Sequence, residues 1–338
     1  MGSIRDYKIA TIGSHSALQI LKGARDEGFQ TVCVCTPERR KMYESYNLAD
    51  EIILVDRYED YLDIEPQLIE KNAIVIPHGS FVSYLGFEKI LQIKSMYYGT
   101  KEILEWEEDR VKEREWLSKA GLTLPKIIKN PEDIDRPVII KFHGAKGGKG
   151  YFIANNPEEF KERIKGYPED SPYVIQEYIV GVPLYSHYFQ SPVTGELEIM
   201  SFDKRYESNA DSIGRIAAQD QLDANIQTSY TITGNIPLVV RESIIPQIYG
   251  MGERVVETSK EIVKKGLFGP FCLEAIVDTN LNFYVFEISA RIVAGTNPYI
   301  NGSPYTWLKY DEPMSTGRRV ARDIKKAIEE DVLEKVLG

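Results

Sequence analysis

A glycine-rich stretch with two lysines is the segment of this 338-residue sequence best suited to chemistry. The β-branched run 138–141 leads into it, and a second apolar run, 151–153, follows. Glycines let backbone N–H groups approach oxygen atoms closely, and lysines add positive charge. The pattern predicts a hairpin whose tip folds over a polyphosphate, although a flexible hairpin with solubilising lysines has the same composition. The tip residues are Lys146, Gly147, Gly148, Lys149 and Gly150.

Two common phosphate-binding motifs do not fit this hairpin. A P-loop has Ser or Thr directly after Gly-Lys and opens a helix, whereas here Gly150 follows Lys149 and a strand-like run comes next. The spacing of the glycines also differs from the dinucleotide-binding fingerprint. We therefore expect a nucleotide site of another kind.

Two glutamates in neighbouring apolar runs form the second chemical signal. The runs 271–277 and 283–289 flank the turn-forming segment Asp278–Asn282, which predicts a β-hairpin. A regular hairpin around this turn places Glu274 opposite Glu287, with Cβ atoms roughly 5 Å apart.

Such a carboxylate pair suits a divalent cation. Like charges at this distance repel, and partial burial raises the cost. A Mg²⁺ or Mn²⁺ ion between Glu274 and Glu287 would remove the repulsion and still bind phosphate oxygens. The alternatives are a shifted register, or pairing of one glutamate with an arginine such as Arg291. The sequence favours the metal site, because the glycine-rich hairpin independently predicts a polyphosphate.

The first 95 residues alternate short apolar strands with helical segments, which favours a parallel sheet covered by helices. Such sheets bind ligands at the carboxyl ends of their strands. Two of the four histidines, His15 and His78, follow predicted strands at 8–12 and 73–77. The helix that begins near Ser16 has an N-terminus suited to a phosphate, although an ordinary serine-capped helix is the alternative.

Composition and charge exclude several classes of function. Hydrophobic residues make up 43% of the chain, which predicts a globular protein, and the net charge of −10 argues against general nucleic-acid binding. The sequence has neither an apolar run long enough to span a membrane nor a secretory apolar core at its start. Cys33, Cys35 and Cys272 lack zinc-site spacing. We therefore expect a cytoplasmic protein with buried, reduced thiols.

The remaining residues predict two further units. Residues 96–183 contain the glycine-rich hairpin and a strand at 173–179, and residues 184–338 end in an amphipathic helix at 318–337. The predicted fold class is α/β and α+β, with an N-terminal Rossmann-like parallel domain at 1–95 and two α+β subdomains after it.

Several separated motifs resemble the ATP-grasp superfamily. They are Lys141 with its glycine-rich hairpin, the strand 174–179, and the segment Glu287–Arg291. The resemblance implies that the two α+β subdomains form an ATP-grasp fold, in which ATP activates a carboxylate as an acyl phosphate and an amine captures it. One departure is Ser289, where the superfamily commonly has Asn, so a third side-chain metal contact is in doubt.

Within this superfamily the chain resembles, over nearly its whole length, the archaeal folate-independent 5-formaminoimidazole-4-carboxamide ribonucleotide synthetases of purine biosynthesis. The motifs that carry this resemblance are Gly13–Gly23, Pro77–Phe81, Lys204–Asn209, Thr233–Pro237, Arg241–Ser243, Phe271–Glu274 and Gly295–Asn297. The family joins formate to the 5-amino group of the aminoimidazole carboxamide ribonucleotide (AICAR), through formyl phosphate. The products are the formylated ribonucleotide (FAICAR), ADP and phosphate.

The resemblance also implies which residues bind each substrate. Those implied to contact AICAR are His15, Ser16, Ser80 and Asn235. Those implied to bind ATP are Lys141, Lys146, Gly147, Gly148, Lys149, Gly150, Gln176, Glu177, Tyr178, Ile179 and Glu207. Glu274 and Glu287 are the implied metal ligands. Stabilisation of transition-state charge is assigned to Arg291, Lys149 and Arg205. His143 is expected to be structural, and His78 is expected either to contact the ribonucleotide or to be structural.

Two other functions are compatible with these motifs. One is a paralogous ATP-grasp carboxylate–amine ligase with different substrates, and the other is a non-catalytic nucleotide-binding relative. Retention of both glutamates and both loop lysines speaks against the second. The expected partners are ATP, formate and AICAR rather than nucleic acid or membrane. A homo-oligomer is also expected, with residues 299–310 as either interface or core.

Overall fold

The computed structural model describes residues 2–142, 151–168, 172–209, 211, 215–224 and 230–338. The tip of the glycine-rich hairpin lies outside these residues, and with it the predictions for His143, Lys146, Gly147, Gly148, Lys149 and Gly150.

The first domain contains the predicted parallel sheet, which is confirmed, with the strand order β3-β2-β1-β4-β5. Its strands are β1 (Lys8–Ile12), β2 (Gln30–Cys35), β3 (Glu51–Leu54), β4 (Ala73–Val75) and β5 (Met96–Tyr97). Its helices are α1 (Ala17–Asp26), α2 (Pro37–Tyr46), α3 (Tyr61–Glu70), α4 (Gly79–Leu85) and α5 (Phe87–Gln92). The strand order reverses between β1 and β4, so a crevice opens at their carboxyl ends. Cys33 and Cys35 on β2 are buried and free, as expected.

A helical hairpin, α6 (Ile103–Glu108) and α7 (Arg110–Lys119), leads into a small antiparallel sheet. The strands of this sheet are β6 (Ile127–Ile128), β7 (Val138–Phe142), β8 (Tyr151–Ala154) and β9 (Tyr173–Glu177), in the order β6-β9-β7-β8. Helix α8 (Pro157–Ile164) covers it through Phe160, which packs in one core with Val138 and Ile175. Strands β7 and β8 are the two arms of the predicted glycine-rich hairpin and pair as expected.

The last unit is a five-stranded antiparallel sheet of order β12-β11-β10-β13-β14. Its strands are β10 (Val182–Gln190), β11 (Leu197–Asn209), β12 (Tyr230–Leu238), β13 (Gly269–Val277) and β14 (Phe283–Ser289). Its helices are α9 (Ala218–Asp223), α10 (Ile245–Ile262), α11 (Pro304–Tyr310) and α12 (Thr316–Glu329). Short 3₁₀ turns occur at Ile4–Asp6, Tyr58–Asp60, Pro131–Asp133, Glu242–Ile244, Ala294–Tyr299 and Leu333–Lys335.

Helices α1 and α12 join the first domain to the last at two glycines. A Cβ on Gly23 would lie 2.2 Å from the Arg318 amide nitrogen, and one on Gly317 would lie 2.4 Å from the Gln19 carbonyl oxygen. The two backbones are therefore in direct contact. The prediction that the last helix continues to residue 337 is wrong, because Asp331 adopts a left-handed φ of 60° that ends α12.

Among the described residues, no helix is long and apolar enough to cross a membrane.

Candidate functional site

The crevice between β1 and β4 brings together the two histidine-bearing turns. His15 follows β1 and His78 follows β4, and their rings stack with centroids 5.5 Å apart. Both turns lie at the edge of the sheet that the sequence indicated for a ligand, and they are neighbours because β1 and β4 are adjacent strands.

His78 is a structural residue. Its ring is fully buried, Nε2 donates to the Ile12 carbonyl oxygen at 3.0 Å, and Nδ1 accepts the Phe81 N–H at 3.4 Å. Burial lowers the pKa of His78 to about 4, so the ring is neutral at pH 7. Both ring nitrogens are thus used to hold the turn against β1 and to cap α4.

His15 opens onto the cleft, and surrounding protein atoms still remove most of its hydration. This desolvation, together with the neighbouring His78, Arg291 and Arg205, lowers the pKa of His15 to about 3. Ser16 is the N-cap of α1, but its hydroxyl shares a 2.8 Å hydrogen bond with His15 Nδ1 instead of capping the helix. A neutral imidazole therefore faces the cleft.

A loop of the last unit completes this side of the cleft. The Asn297 side-chain nitrogen donates to the His15 carbonyl oxygen at 3.0 Å, and Gln19 on α1 donates to Thr296 Oγ1 at 2.6 Å. Ser80 follows His78 by two residues, on the first turn of α4, and its side chain is half-buried. The first domain and the last unit thus share one cleft.

The hairpin β13–β14 pairs Glu274 with Glu287, which confirms the predicted pairing. The hairpin is not regular, however. Nearer the turn, Ala275 pairs with Val285, and a β-bulge adds Phe286 to β14 before Glu287 comes opposite Glu274. The bulge rather than the turn alone therefore brings the two carboxylates face to face.

Glu274 is also paired with an arginine. Its Oε1 accepts a 2.7 Å hydrogen bond from Arg205 Nη2, and the Arg205 guanidinium lies 4.2 Å from the centre of the Tyr185 ring. Burial of Glu274, which is 6% exposed, and the neighbouring charge of Glu287 raise the pKa of Glu274. The described residues include no hydrogen-bond partner for the Glu287 carboxylate. The predicted pairing of one glutamate with an arginine is therefore found at Glu274, but with Arg205 rather than with Arg291, which pairs with Glu107.

Two glutamates of the α6–α7 hairpin hold the edge strand β14 in place. Glu113 accepts the Ile288 N–H and Glu107 accepts the Ala290 N–H, each at 2.8 Å. Glu107 also forms a 2.7 Å ion pair with Arg291. Burial, followed by the charges of Glu287 and Glu107, raises the pKa of Glu113 to about 9. Sequence reasoning missed both residues, because they lie in a charge-rich helical run that is typical of a solvated surface.

Lys141 on β7 extends this cluster from the small sheet. Its amine donates to Gln176 Oε1 at 3.4 Å, and it is close enough to Glu287 and Glu113 for both to act on its charge. Burial and the nearby Arg110 lower the pKa of Lys141. The lysine at the base of the glycine-rich hairpin thus lies beside the carboxylate hairpin.

The other residues predicted to bind ATP differ in their local contacts. The Glu177 carboxylate forms a 3.1 Å ion pair with Arg136, and the Tyr178 amide donates to the Pro137 carbonyl oxygen. Ile179 is half-buried just beyond β9. Glu207, on β11, is half-buried, and burial together with Asp211 raises its pKa.

One further cluster was not predicted. Asp203 on β11 is completely buried, accepts from His187 Nε2 at 2.7 Å and accepts from the Asn235 side-chain nitrogen at 2.6 Å. Asp203, Tyr185, Glu274 and Glu287 are successive cross-strand partners, so one face of the sheet carries them as a row. An isolated Asp in a strand gives no signal of such a contact.

Two protein-family models match the chain. A model described as a protein of unknown function (DUF1246) matches residues 9–128, and one described as a domain of unknown function (DUF1297) matches residues 164–338.

Curated relatives cover almost the whole chain. A Pyrococcus horikoshii protein is 56% identical over 98% of this chain and 99% of its own length, and one from Pyrococcus abyssi is 55% identical over 98% of each. Both are named 5-formaminoimidazole-4-carboxamide-1-(beta)-D-ribofuranosyl 5'-monophosphate synthetase.

Solved structures give the same fold. The crystal structure of an IMP biosynthesis protein, PurP, from Thermococcus kodakaraensis aligns with a TM-score of 0.78 at 31% identity, over 98% of this chain and 100% of that one. An ADP complex of an N5-carboxyaminoimidazole ribonucleotide synthetase aligns with a TM-score of 0.66 at 15% identity, over 95% of this chain and 78% of that one. The predicted ATP-grasp fold is confirmed.

Proposed function

Because the chain belongs to the family of 5-formaminoimidazole-4-carboxamide ribonucleotide synthetases, we propose that it is the ATP-dependent ligase that joins formate to the 5-amino group of AICAR. The structural observation that carries this proposal is the meeting of three groups in one cleft. These are the Glu274–Glu287 pair, the arginines Arg205 and Arg291, and His15 at the strand ends of the first domain.

The chemistry requires two transfers. A formate oxygen attacks the γ-phosphorus of ATP, which forms formyl phosphate and releases ADP. The 5-amino nitrogen of AICAR then attacks the formyl carbon, phosphate leaves, and the nitrogen loses a proton. Formate is a poor electrophile until phosphorylation supplies a leaving group, so positioned positive charge is the main requirement of the first step.

Arg205 and Arg291 supply fixed positive charge in the cleft. Each forms one ion pair with a glutamate, and each Nε is buried without a hydrogen-bond partner among the described residues. These arginines are suited to the charge on the transferring phosphoryl group and on formate. We assign Lys149, which lies outside the described residues, to the same role.

Glu274 and Glu287 fit a divalent cation. They are opposed carboxylates, and the raised pKa of Glu274 reflects the cost of burying it beside a second negative charge. Within the described ranges, no group of three or more His, Cys, Asp or Glu side chains is arranged for a metal, so phosphate oxygens would complete the coordination. When bound, Mg²⁺ or Mn²⁺ would neutralise charge on the ATP phosphates.

ATP binding is assigned to the small sheet, with its glycine-rich hairpin, and to Glu207 on β11 of the last unit. The residues proposed to contact ATP are Lys141, Gln176, Glu177, Tyr178, Ile179 and Glu207, with Lys146, Gly147, Gly148, Lys149 and Gly150 from the hairpin tip. The proximity of Lys141 to Glu287 supports this assignment, because it brings a lysine next to the proposed metal ligands.

AICAR binding is assigned to His15, Ser16, Ser80 and Asn235. Since the imidazole of His15 is neutral, we expect it to act by hydrogen bonding rather than as an ion-pair partner of the ribonucleotide phosphate. The N-terminus of the ten-residue helix α1 begins beside it and suits that phosphate.

We further propose that the protein acts as a homo-oligomer in the cytoplasm. Trp307 and Leu308 on α11 are 50% and 85% exposed, which is unusual for large apolar side chains in a monomer.

The test is ADP release measured with ATP and formate, with and without AICAR, and product analysis for FAICAR. ADP release that requires formate, and that either requires AICAR or is stimulated by it, supports the proposal. ADP release that ignores formate indicates a ligase with other substrates, and ATP binding without turnover indicates a non-catalytic relative.

A further inference from the structure

The buried Asp203–His187 pair lies beneath the cleft rather than in it. Asp203 is 0% exposed and His187 is 1% exposed. A Cβ on Gly295 would lie 2.2 Å from Asp203 Oδ1 and 2.8 Å from His187 Cε1, so the loop that carries Asn297 is packed directly onto the pair. A substrate therefore has no access to either side chain.

Among the described residues, Asn235 links the pair to the cleft. The side-chain nitrogen of Asn235 donates to Asp203 Oδ2 at 2.6 Å, while His187 Nε2 donates to Oδ1 at 2.7 Å. Asn235 is half-buried, and its strand partner is Arg205, the arginine that reaches Glu274. Asn235 thus stands between the buried pair and the charged cluster of the cleft.

The chemistry of the carboxylate fixes the orientation of the Asn235 amide. An ionised carboxylate can only accept hydrogen bonds, so the amide nitrogen must face Asp203 and the amide oxygen must face away. The N–H of His187 occupies the other carboxylate oxygen and restricts rotation of the Asp203 side chain. His187 Nδ1 has no hydrogen-bond partner in the described part of the chain, so Asp203 is the described side-chain partner of this ring.

We propose that Asp203 and His187 are positioning residues that orient Asn235 so that its side-chain oxygen accepts a hydrogen bond from an amino group of the substrate. This inference rests on the proposed function. Within the AICAR site, it gives the Asp203–His187 pair the role of favouring a substrate group that donates a hydrogen bond. The pair selects substrates that present an N–H group at this point, because a carbonyl oxygen there would face the Asn235 oxygen without a proton between them.

The test exchanges the Asp203 and Asn235 side chains, first one at a time and then together. In D203N, the introduced amide still accepts from His187, but its NH₂ group faces Asn235 and forces that amide to turn its oxygen inward. We expect KM for AICAR to rise about tenfold or more, with KM for ATP and for formate within about twofold of wild type. N235D alone places two carboxylates together and should be impaired as well.

The double variant D203N/N235D should restore function. The introduced amide at 203 then donates to the introduced carboxylate at 235, whose other oxygen faces the substrate amine, as the Asn235 oxygen does in wild type. We expect KM for AICAR to return to within about threefold of wild type. N235A is the control that removes the acceptor itself, and it should raise KM for AICAR as D203N does.

The outcomes separate the inference from the proposed function. A wild-type chain without formate-dependent turnover overturns the proposed function, and this inference with it. A wild-type chain with normal turnover overturns the inference alone if D203N or N235A leaves KM for AICAR unchanged. The inference is also overturned if D203N/N235D has the Tm of wild type but a KM for AICAR as high as those of the single variants. If D203N does not fold, N235A and the double variant decide the matter by the same criteria.

Discussion

Replacing Glu287 with glutamine should make the metal-free protein more stable and inactive. Glu274 and Glu287 face each other across the β13–β14 ladder. Of these two glutamates, Arg205 forms a hydrogen bond with Glu274. Two charges about 5 Å apart repel by about 3 kcal/mol at an effective dielectric constant of about 20. Because Arg205 and water offset part of this repulsion, we expect E287Q to gain about 1 to 2 kcal/mol in unfolding free energy.

The effect is measured by thermal unfolding in the presence of EDTA, with E329Q on the exposed face of α12 as the matched control. For a chain of 338 residues, a gain of this size corresponds to a rise in Tm of about 1 to 3 °C, and the Tm of E329Q should not shift. Saturating Mg²⁺ and ATP should raise the Tm of wild type substantially and that of E287Q little. Formate- and AICAR-dependent ADP release by E287Q should fall about a hundredfold or more.

Two results would refute this reasoning. Folded E287Q with normal turnover would show that Glu287 is not a metal ligand. Metal-free E287Q with a Tm at or below that of wild type would show that the opposed carboxylates do not repel.

Three other perturbations follow from the described contacts. H15A should raise KM for AICAR far more than KM for ATP, and equal effects on both substrates would place AICAR elsewhere. Because the pKa of His15 is lowered to about 3, the ratio of KM for AICAR between H15A and wild type should stay the same between about pH 6 and pH 8. The pKa of Glu113 is raised to about 9 in the folded protein, so the stability linked to its protonated form is fully present below its unfolded pKa and is lost as pH rises through 9. In E113Q the amide oxygen can still accept the Ile288 N–H, so the Tm of E113Q should exceed that of wild type by an amount that grows between pH 5 and 9. A Tm difference that does not change with pH would contradict this. R205M should leave the buried Glu274 carboxylate without its 2.7 Å partner and lower the free energy of unfolding by about 3 to 5 kcal/mol. The measurement is denaturant unfolding, with the conservative variant R205K as the control. A loss below about 1 kcal/mol would mean that the ion pair is effectively solvated.

The fold and the two chemical centres were predictable because they depend on local patterns. Alternation of strands and helices was enough to predict a parallel sheet, and the position of His15 and His78 directly after strands was enough to place both at its carboxyl edge. The pairing of Glu274 with Glu287 was also predicted correctly, although the turn alone does not produce it. The bulge at Phe286 supplies the missing residue, and a bulged residue in an apolar run has no distinct sequence signal.

The contacts that the sequence could not predict are all between distant segments. Glu113 is far from Ile288 in the sequence, and its surroundings have the composition of a solvated helix. Asp203 is buried by Gly295, which approaches it only once the sheet and the following loop are packed together. The end of α12 was misplaced for a different reason, since amphipathic spacing continues past Asp331 while the backbone turns there.

Where Gly23 meets Gly317, the first domain and the last unit touch main chain to main chain, with no side chain between them to compress. A methyl group at either glycine would act as a spacer of fixed thickness, inserted far from the reacting atoms. Because a backbone contact cannot be relieved by a change of rotamer, any side chain at this crossing of α1 and α12 must move one of the two units against the other.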